Sequence, residues 1–252
     1  RELVNTFPEG YLNDRPVCDK CGGTGYVGSR MCSCLEDLCR QEQRRELAGM
    51  GIRAEDFRDF RLDYYSEQID RTYGASPRMI MERNLERCRR FVRDFGGKPE
   101  NLLFIGNTGL GKTFLSACIA GSVSQQGFSV SYETNMTPEE VLEMRTELQK
   151  LQKENKQLRS EENKQAAEAI RNADLLILDD LGTEMPGQFV TAALYTLVND
   201  RLMEGKPMII STNLNMNQVA DIYSERVLSR ISNSYTIIKL FGDDIRLKKR
   251  IH

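Results

Sequence analysis

Short apolar runs alternate with longer amphipathic stretches through the second half of the chain. Residues 101–106, 128–133, 174–179, 207–212 and 235–240 have strand length and are bounded by turn formers, so they read as five strands. Residues 111–126, 138–172, 187–204 and 215–232 lie between them and carry helical spacing. Runs such as Leu175-Leu176-Ile177-Leu178 are continuously apolar, as expected of strands buried on both faces. The fold class that follows is α/β, with a parallel five-stranded sheet between helices.

Upstream, the apolar positions Met79, Ile80, Met81, Leu85, Cys88, Phe91 and Val92 predict a helix over 78–95, stopped by Gly96-Gly97-Lys98-Pro99. A charged helix is expected from Leu35 to Leu47, ended by Gly49 and Gly51, and residues 57–65 interleave aromatic and charged side chains. Thr137-Pro138-Glu139-Glu140 is a strong helix start. Behind it Val141, Met144, Leu148, Leu151, Asn155 and Leu158 recur at spacings of three and four. That spacing fits a short coiled-coil seam and equally an amphipathic helix facing its own core. Boundaries are expected near 50 and 100: a cysteine-rich module over 1–50, a linker and helix over 51–100, and the α/β domain over 101–252.

Composition narrows the function classes. The 252 residues carry a net charge of −2 with 29% charged side chains, so no global basic field advertises nucleic acid, and any such contact needs a local patch. No apolar run reaches the length of a membrane span and no signal peptide is visible, which predicts a cytoplasmic protein without a membrane partner. The chain begins at Arg1 with no methionine, so a further N-terminal region is expected to precede it. His252 is the one histidine, which excludes mechanisms that need an internal histidine base.

The sharpest chemistry is the stretch Gly106-Asn107-Thr108-Gly109-Leu110-Gly111-Lys112-Thr113, which follows a predicted strand and opens a predicted helix. It fits the P-loop pattern G-x-x-x-x-G-K-[ST]: backbone N–H groups cradle phosphates, Lys112 reaches the β and γ phosphates of ATP, and Thr113 offers its hydroxyl to Mg²⁺. A second apolar strand ends in Asp179-Asp180, where Asp179 would hold Mg²⁺ and Asp180 would orient or deprotonate the attacking water. A third ends in Ser211-Thr212-Asn213. There Asn213 is either an ordinary strand-ending turn residue or an amide that polarises the lytic water. Arg226 and Arg230 lie four apart on one helical face, either covering it with ion pairs or offering a guanidinium to phosphates on a neighbouring subunit.

Five of the seven cysteines fall between Cys18 and Cys39. Cys18-x-x-Cys21, on a glycine-rich turn, and Cys32-x-Cys34 supply four thiolates for a tetrahedral Zn²⁺, with Cys39 a possible substitute for one member. A closed site of this kind is structural, because it leaves no open coordination position.

The order of these motifs resembles the AAA+ ATPases of the DnaC/DnaI helicase-loader family. The resemblance rests on the P-loop, the Asp179-Asp180-Leu181-Gly182-Thr183-Glu184 segment, the Ser-Thr-Asn strand end and the Glu225-Arg226-Val227-Leu228-Ser229-Arg230 helix. The knuckle ahead of Phe57, Phe60, Leu62, Asp63, Tyr64 and Tyr65 is similar to the DnaI-like branch. The resemblance implies that Lys112 and Thr113 bind phosphate and Mg²⁺, Asn213 is a sensor 1 residue, Arg230 a trans-acting arginine finger and Arg246 a sensor 2 arginine. It further implies a spiral homo-oligomer in the ATP state, which grips single-stranded DNA and loads a ring-shaped replicative helicase of the DnaB type. The DNA-contacting segment of such loaders maps to roughly 136–170, which here lacks an aromatic for base stacking and leaves Lys and Arg contacts to the DNA backbone. An IstB-like transposition helper acting on duplex DNA shares the same core, and a small-molecule kinase shares the P-loop alone.

Overall fold

In the computed structural model, residues 18–49, 56–97, 100–134, 170–183 and 187–248 are described. A two-stranded antiparallel hairpin, β1 (Tyr26–Val27) and β2 (Arg30–Met31), precedes helix α1 (Ser33–Gly49). Two single-turn 3₁₀ segments, Phe57–Asp59 and Leu62–Tyr64, lead to α2 (Pro77–Arg93). Then come β3 (Leu102–Ile105), α3 (Lys112–Gln125), β4 (Val130–Thr134), β5 (Leu175–Leu181), α4 (Gln188–Glu204) and β6 (Met208–Thr212). The chain continues with α5 (Met216–Tyr223), α6 (Glu225–Ser234), β7 (Thr236–Lys239) and α7 (Ile245–Lys248). The predicted 138–172 helix and its heptad-like seam lie almost wholly outside the described residues.

Five strands form one parallel sheet in the order β4-β5-β6-β3-β7. Side chains alternate across a strand, and this alternation divides the core in two. Leu102, Phe104, Leu175 and Ile177 face one layer, built with Met81, Leu85 and Phe91 of α2 and Leu115 and Ile119 of α3. Leu103, Leu176, Leu178 and Ile210 face the other, with Leu194 and Val198 of α4, Val219 of α5, and Val227 and Ile231 of α6. Helix α2 thus belongs to the core that supports the P-loop. It starts cleanly because the Ser76 hydroxyl accepts the Met79 N–H and Pro77 occupies the first turn.

Arg201 of α4 is 1% exposed, and its guanidinium donates to the carbonyls of Ile170, Arg171, Ala173 and Pro207. It ties the approach to β5 to the approach to β6 beneath the sheet. Burial brings it down to about 10, which keeps it charged at neutral pH. Asn215 and Gln218 cap α5 reciprocally, and Ser224, at φ +87°, makes the corner into α6.

Candidate nucleotide site and cysteine cluster

The parallel order brings the carboxyl ends of β3, β5 and β6 side by side, where ligands of open α/β sheets bind. The loop leaving β3 is held from two sides. On one side, the Tyr65 hydroxyl donates to the Leu110 carbonyl at 2.8 Å, and Phe60 stacks on Tyr65 while meeting Phe114 edge to face. On the other, the Leu240 N–H donates to the Ile105 carbonyl at 2.7 Å and the Ile245 N–H to the Gly109 carbonyl at 3.0 Å. Glycine is required along the loop: a Cβ on Gly106 would strike the Leu240 carbonyl, and Gly109, at φ +77°, lies against the Asp244 carboxylate. The first turn of α3 has no side-chain cap, which leaves its N–H groups facing a ligand with the positive end of the helix dipole. Thr113 is exposed in that turn.

Lys112 is 4% exposed and uses all three ammonium protons, on the Gly106 carbonyl (2.7 Å), the Asn107 carbonyl (3.0 Å) and Asn213 Oδ1 (2.5 Å). Burial draws Lys112 below the ordinary lysine range, and the charges of Asp180 and Asp179 act against that shift. Asp179, also 4% exposed, accepts from the Tyr132 hydroxyl at 3.0 Å and from the Ser211 hydroxyl. Asp180 follows at φ +58°, and its carboxyl is raised above the usual carboxylate range by burial and by Asp179, with Lys112 and Arg246 opposing. Arg246 forks onto Asp244, with Nη2–Oδ2 at 2.7 Å and Nε–Oδ1 at 3.1 Å.

Lys112, Asp179, Asp180 and Asn213 therefore meet at one place, with Arg246 near enough to act on two of them. Arg226 and Arg230 do not join them: both are exposed on α6 and neither forms an ion pair with another described residue. A Thr113 hydroxyl and an Asp179 carboxylate suit a hard, oxygen-seeking cation such as Mg²⁺, and the open loop amides suit the phosphates of ATP. The motifs gave no site role to Tyr65, Tyr132 or Ser211, although Tyr65 and Ser211 fall within the segments that carry the resemblance. Only the aromatic character of 57–65 and the hydroxyl beside Asn213 hinted at them.

The thiol sulfurs of Cys18, Cys21, Cys32 and Cys34 all lie within 4.8 Å of one another. Cys18 and Cys32 are 3.8 Å apart, Cys21 and Cys34 3.5 Å. A tetrahedral Zn²⁺ with sulfurs at about 2.3 Å places them about 3.8 Å apart, so the donor set fits that ion. The turn is built by the Cys32 N–H on the Gly25 carbonyl and the Gly25 N–H on Cys21 Sγ. Crowding drives the acidities of Cys21 and Cys34 apart. Desolvation raises Cys21, but the Gly25 N–H and the Cys34 and Cys18 thiols together outweigh it and bring the group down to about 6; chiefly through Cys21, Cys34 is pushed up to about 12. Cys39 is exposed and outside the group.

Among the described residues no helix is long and apolar enough to cross a membrane. Comparison with known proteins agrees with the fold. The chain is 25% identical over 160 residues to the replicative helicase loader DnaC of Escherichia coli strain K12, covering 64% of this chain and 61% of that protein. It is 25% identical over 165 residues to the replicative helicase loader DnaI of Bacillus subtilis strain 168, covering 60% of this chain and 49% of that one. It thus spans about half to three fifths of these relatives. A crystal structure of DnaI is similar in fold, with a TM-score of 0.52 at 21% identity over 76% of this chain and 90% of that one. A DnaC helicase loader structure gives 0.51 at 20% identity over 73% and 98%. The pattern that describes the IstB-like ATP binding proteins matches residues 36–252, most of the length. The chain accordingly belongs to the IstB-like ATP-binding family, with relatives among the DnaC and DnaI helicase loaders.

Proposed function

We propose that this ATPase loads a ring-shaped replicative helicase onto single-stranded DNA, assembling as a spiral in the ATP state and hydrolysing ATP at subunit interfaces. The observation that carries the intersubunit reading is the separation of the arginines: the Ile245 N–H on the Gly109 carbonyl sets Arg246 beside the loop of its own chain, while Arg230 stands exposed on α6. A guanidinium on the outside is free to reach phosphates held by a neighbouring copy. The named relatives, both helicase loaders, supply the direction of the output.

In this reading Gly106 to Thr113 bind the phosphates, with Lys112 on the β and γ groups. Thr113 and Asp179 hold Mg²⁺, which when bound neutralises the charge building on the transferring phosphoryl group. Asp180 and Asn213 orient and activate the water, Arg246 senses the nucleotide in cis, and Arg230 completes the site in trans. Cys18, Cys21, Cys32 and Cys34 hold a structural Zn²⁺ in an N-terminal module over 1–50, ahead of the ATPase domain at 101–252 with the α2 segment packed onto it.

The match to the IstB-like ATP binding proteins keeps one other reading beside it, a transposition helper acting on duplex DNA with a transposase. ATP turnover measured with single-stranded and duplex DNA, alongside co-purification with a ring helicase, separates the two. Stimulation by single strands with helicase retained supports the loader. Stimulation by duplex alone, with no helicase retained, overturns it.

A further inference from the structure

Strict alternation along β5 would send Asp179 and Asp180 to opposite faces of the sheet. The pairing with β6 prevents this: Leu178 pairs with Ile210 and Leu181 with Thr212, so Asp179 and Asp180 together oppose the single residue Ser211. This is a β-bulge, a device that re-aims side chains, and Asp180 within it takes a left-handed φ of +58°. Both carboxylates consequently act on the Lys112 ammonium.

Two fully buried hydroxyls, one from each flanking strand, hold this arrangement. Ser211 of β6 accepts the Asp180 N–H at 3.0 Å and donates to Asp179 Oδ1. Tyr132 of β4 donates to Asp179 Oδ2 at 3.0 Å. Neither residue is called for by the P-loop or by the acidic pair.

We infer that Ser211 and Tyr132 are positioning residues of the ATPase: together they fix Asp179 by one hydroxyl on each oxygen, and Ser211 also pins the bulge that turns Asp180 toward the P-loop. The inference rests on reading Asp179 as a Mg²⁺ ligand and Asp180 as the residue that handles water. The two hydroxyls differ in a way that can be measured. Of the two acidic residues Tyr132 hydrogen-bonds only Asp179, so its loss affects the metal; Ser211 bonds the Asp179 carboxylate and the Asp180 N–H, so its loss affects the metal and the chemical step.

The test compares Tyr132→Phe, Ser211→Ala and Ser211→Thr by ATP turnover across a Mg²⁺ titration, and by binding of a non-hydrolysable ATP analogue with Mg²⁺ and with EDTA. Outer partners of metal ligands are typically worth about 10- to 100-fold. Tyr132→Phe should raise the Mg²⁺ needed for half-maximal turnover about tenfold, with kcat at saturating Mg²⁺ within about threefold of the parent. Ser211→Ala should raise it similarly and lower kcat at least about tenfold, and Ser211→Thr should restore both. Binding in EDTA should be equal in all. Parent-like Mg²⁺ response and kcat in both Tyr132→Phe and Ser211→Ala would overturn the inference. So would failure of threonine to rescue, or a loss of EDTA binding in step with kcat. Where alanine does not fold, Ser211→Cys carries the test: an intermediate kcat supports the inference and a parent-like one overturns it. Asp179→Asn is the control. A dead Asp179→Asn beside a normal Ser211→Ala rejects only this inference, while a fully active Asp179→Asn rejects the underlying reading as well.

Discussion

Replacing Asn213 by alanine should separate nucleotide binding from turnover, because the two depend on this side chain with opposite sign. Lys112 has three N–H donors, and all three are in use on Gly106, Asn107 and Asn213. A phosphate oxygen can reach the ammonium only by displacing one of these acceptors. The two carbonyls belong to the loop itself; the Asn213 amide comes from the adjacent strand end and is exposed to solvent. A hydrogen bond to a charged group contributes roughly 1.5–3 kcal/mol net, and exposure on the asparagine side reduces this to about 1 kcal/mol. Removing that competitor should tighten binding of ATP or a non-hydrolysable analogue about fivefold, since 1.4 kcal/mol corresponds to tenfold. Turnover should fall about 100-fold, the scale of losing one polar group that acts on the transition state. Titration of a fluorescent nucleotide analogue and steady-state phosphate release give the two numbers. Weaker binding with unchanged turnover would refute both halves of the argument. Asn213→Asp provides a cross-check: an added carboxylate beside Lys112 should weaken triphosphate binding.

Three further outcomes are expected. Arg230→Ala should abolish cooperative hydrolysis while leaving ATP binding by an isolated subunit nearly intact; an equal loss of binding would mean that Arg230 acts in cis. Metal analysis should find one Zn²⁺ per chain, lost on replacing any of Cys18, Cys21, Cys32 or Cys34 by serine and kept in Cys39→Ser; retention by Cys18→Ser would contradict the four-sulfur site. Asp180 has its carboxyl raised in the folded chain, so its ionised form is penalised at neutral pH. Asp180→Asn should therefore raise the melting temperature at pH 7. The gain should be absent below pH of about 4, where the unfolded carboxyl is also protonated, and a uniform gain at all pH values would show that charge is not its cause.

Legibility in the sequence followed the range of the interactions. The P-loop could be read residue by residue because its closely spaced glycines and Lys112-Thr113 act through the local backbone. The three central strands showed as continuous apolar runs, and the observed bounds of all five differ from expectation by one or two residues at most ends. The hairpin Tyr26–Val27 with Arg30–Met31 was invisible, since two residues per strand carry no period. The order β4-β5-β6-β3-β7 depends on ladders between distant segments, which local pattern does not encode. The same holds for the site. Asp179 and Asp180 were found by their place after an apolar run, but the β-bulge that lets adjacent residues share a purpose arises only when β5 meets β6. Tyr65 reaches Leu110 across 45 residues and Tyr132 reaches Asp179 across 47, and no spacing rule links such positions. Gly109 read as a phosphate-loop glycine; that it also makes room for Asp244 follows from folding the C-terminal segment back over the loop.

The most direct test of the central claim is retention of a ring helicase on circular single-stranded DNA, which has no end to thread. The account predicts stable helicase on the circle when this chain and ATP are both present, and a sharp loss with Lys112→Ala or Arg230→Ala. Loading that is indifferent to the chain, or ATP turnover by a monomer that ignores DNA and passes phosphate to a metabolite, would contradict it.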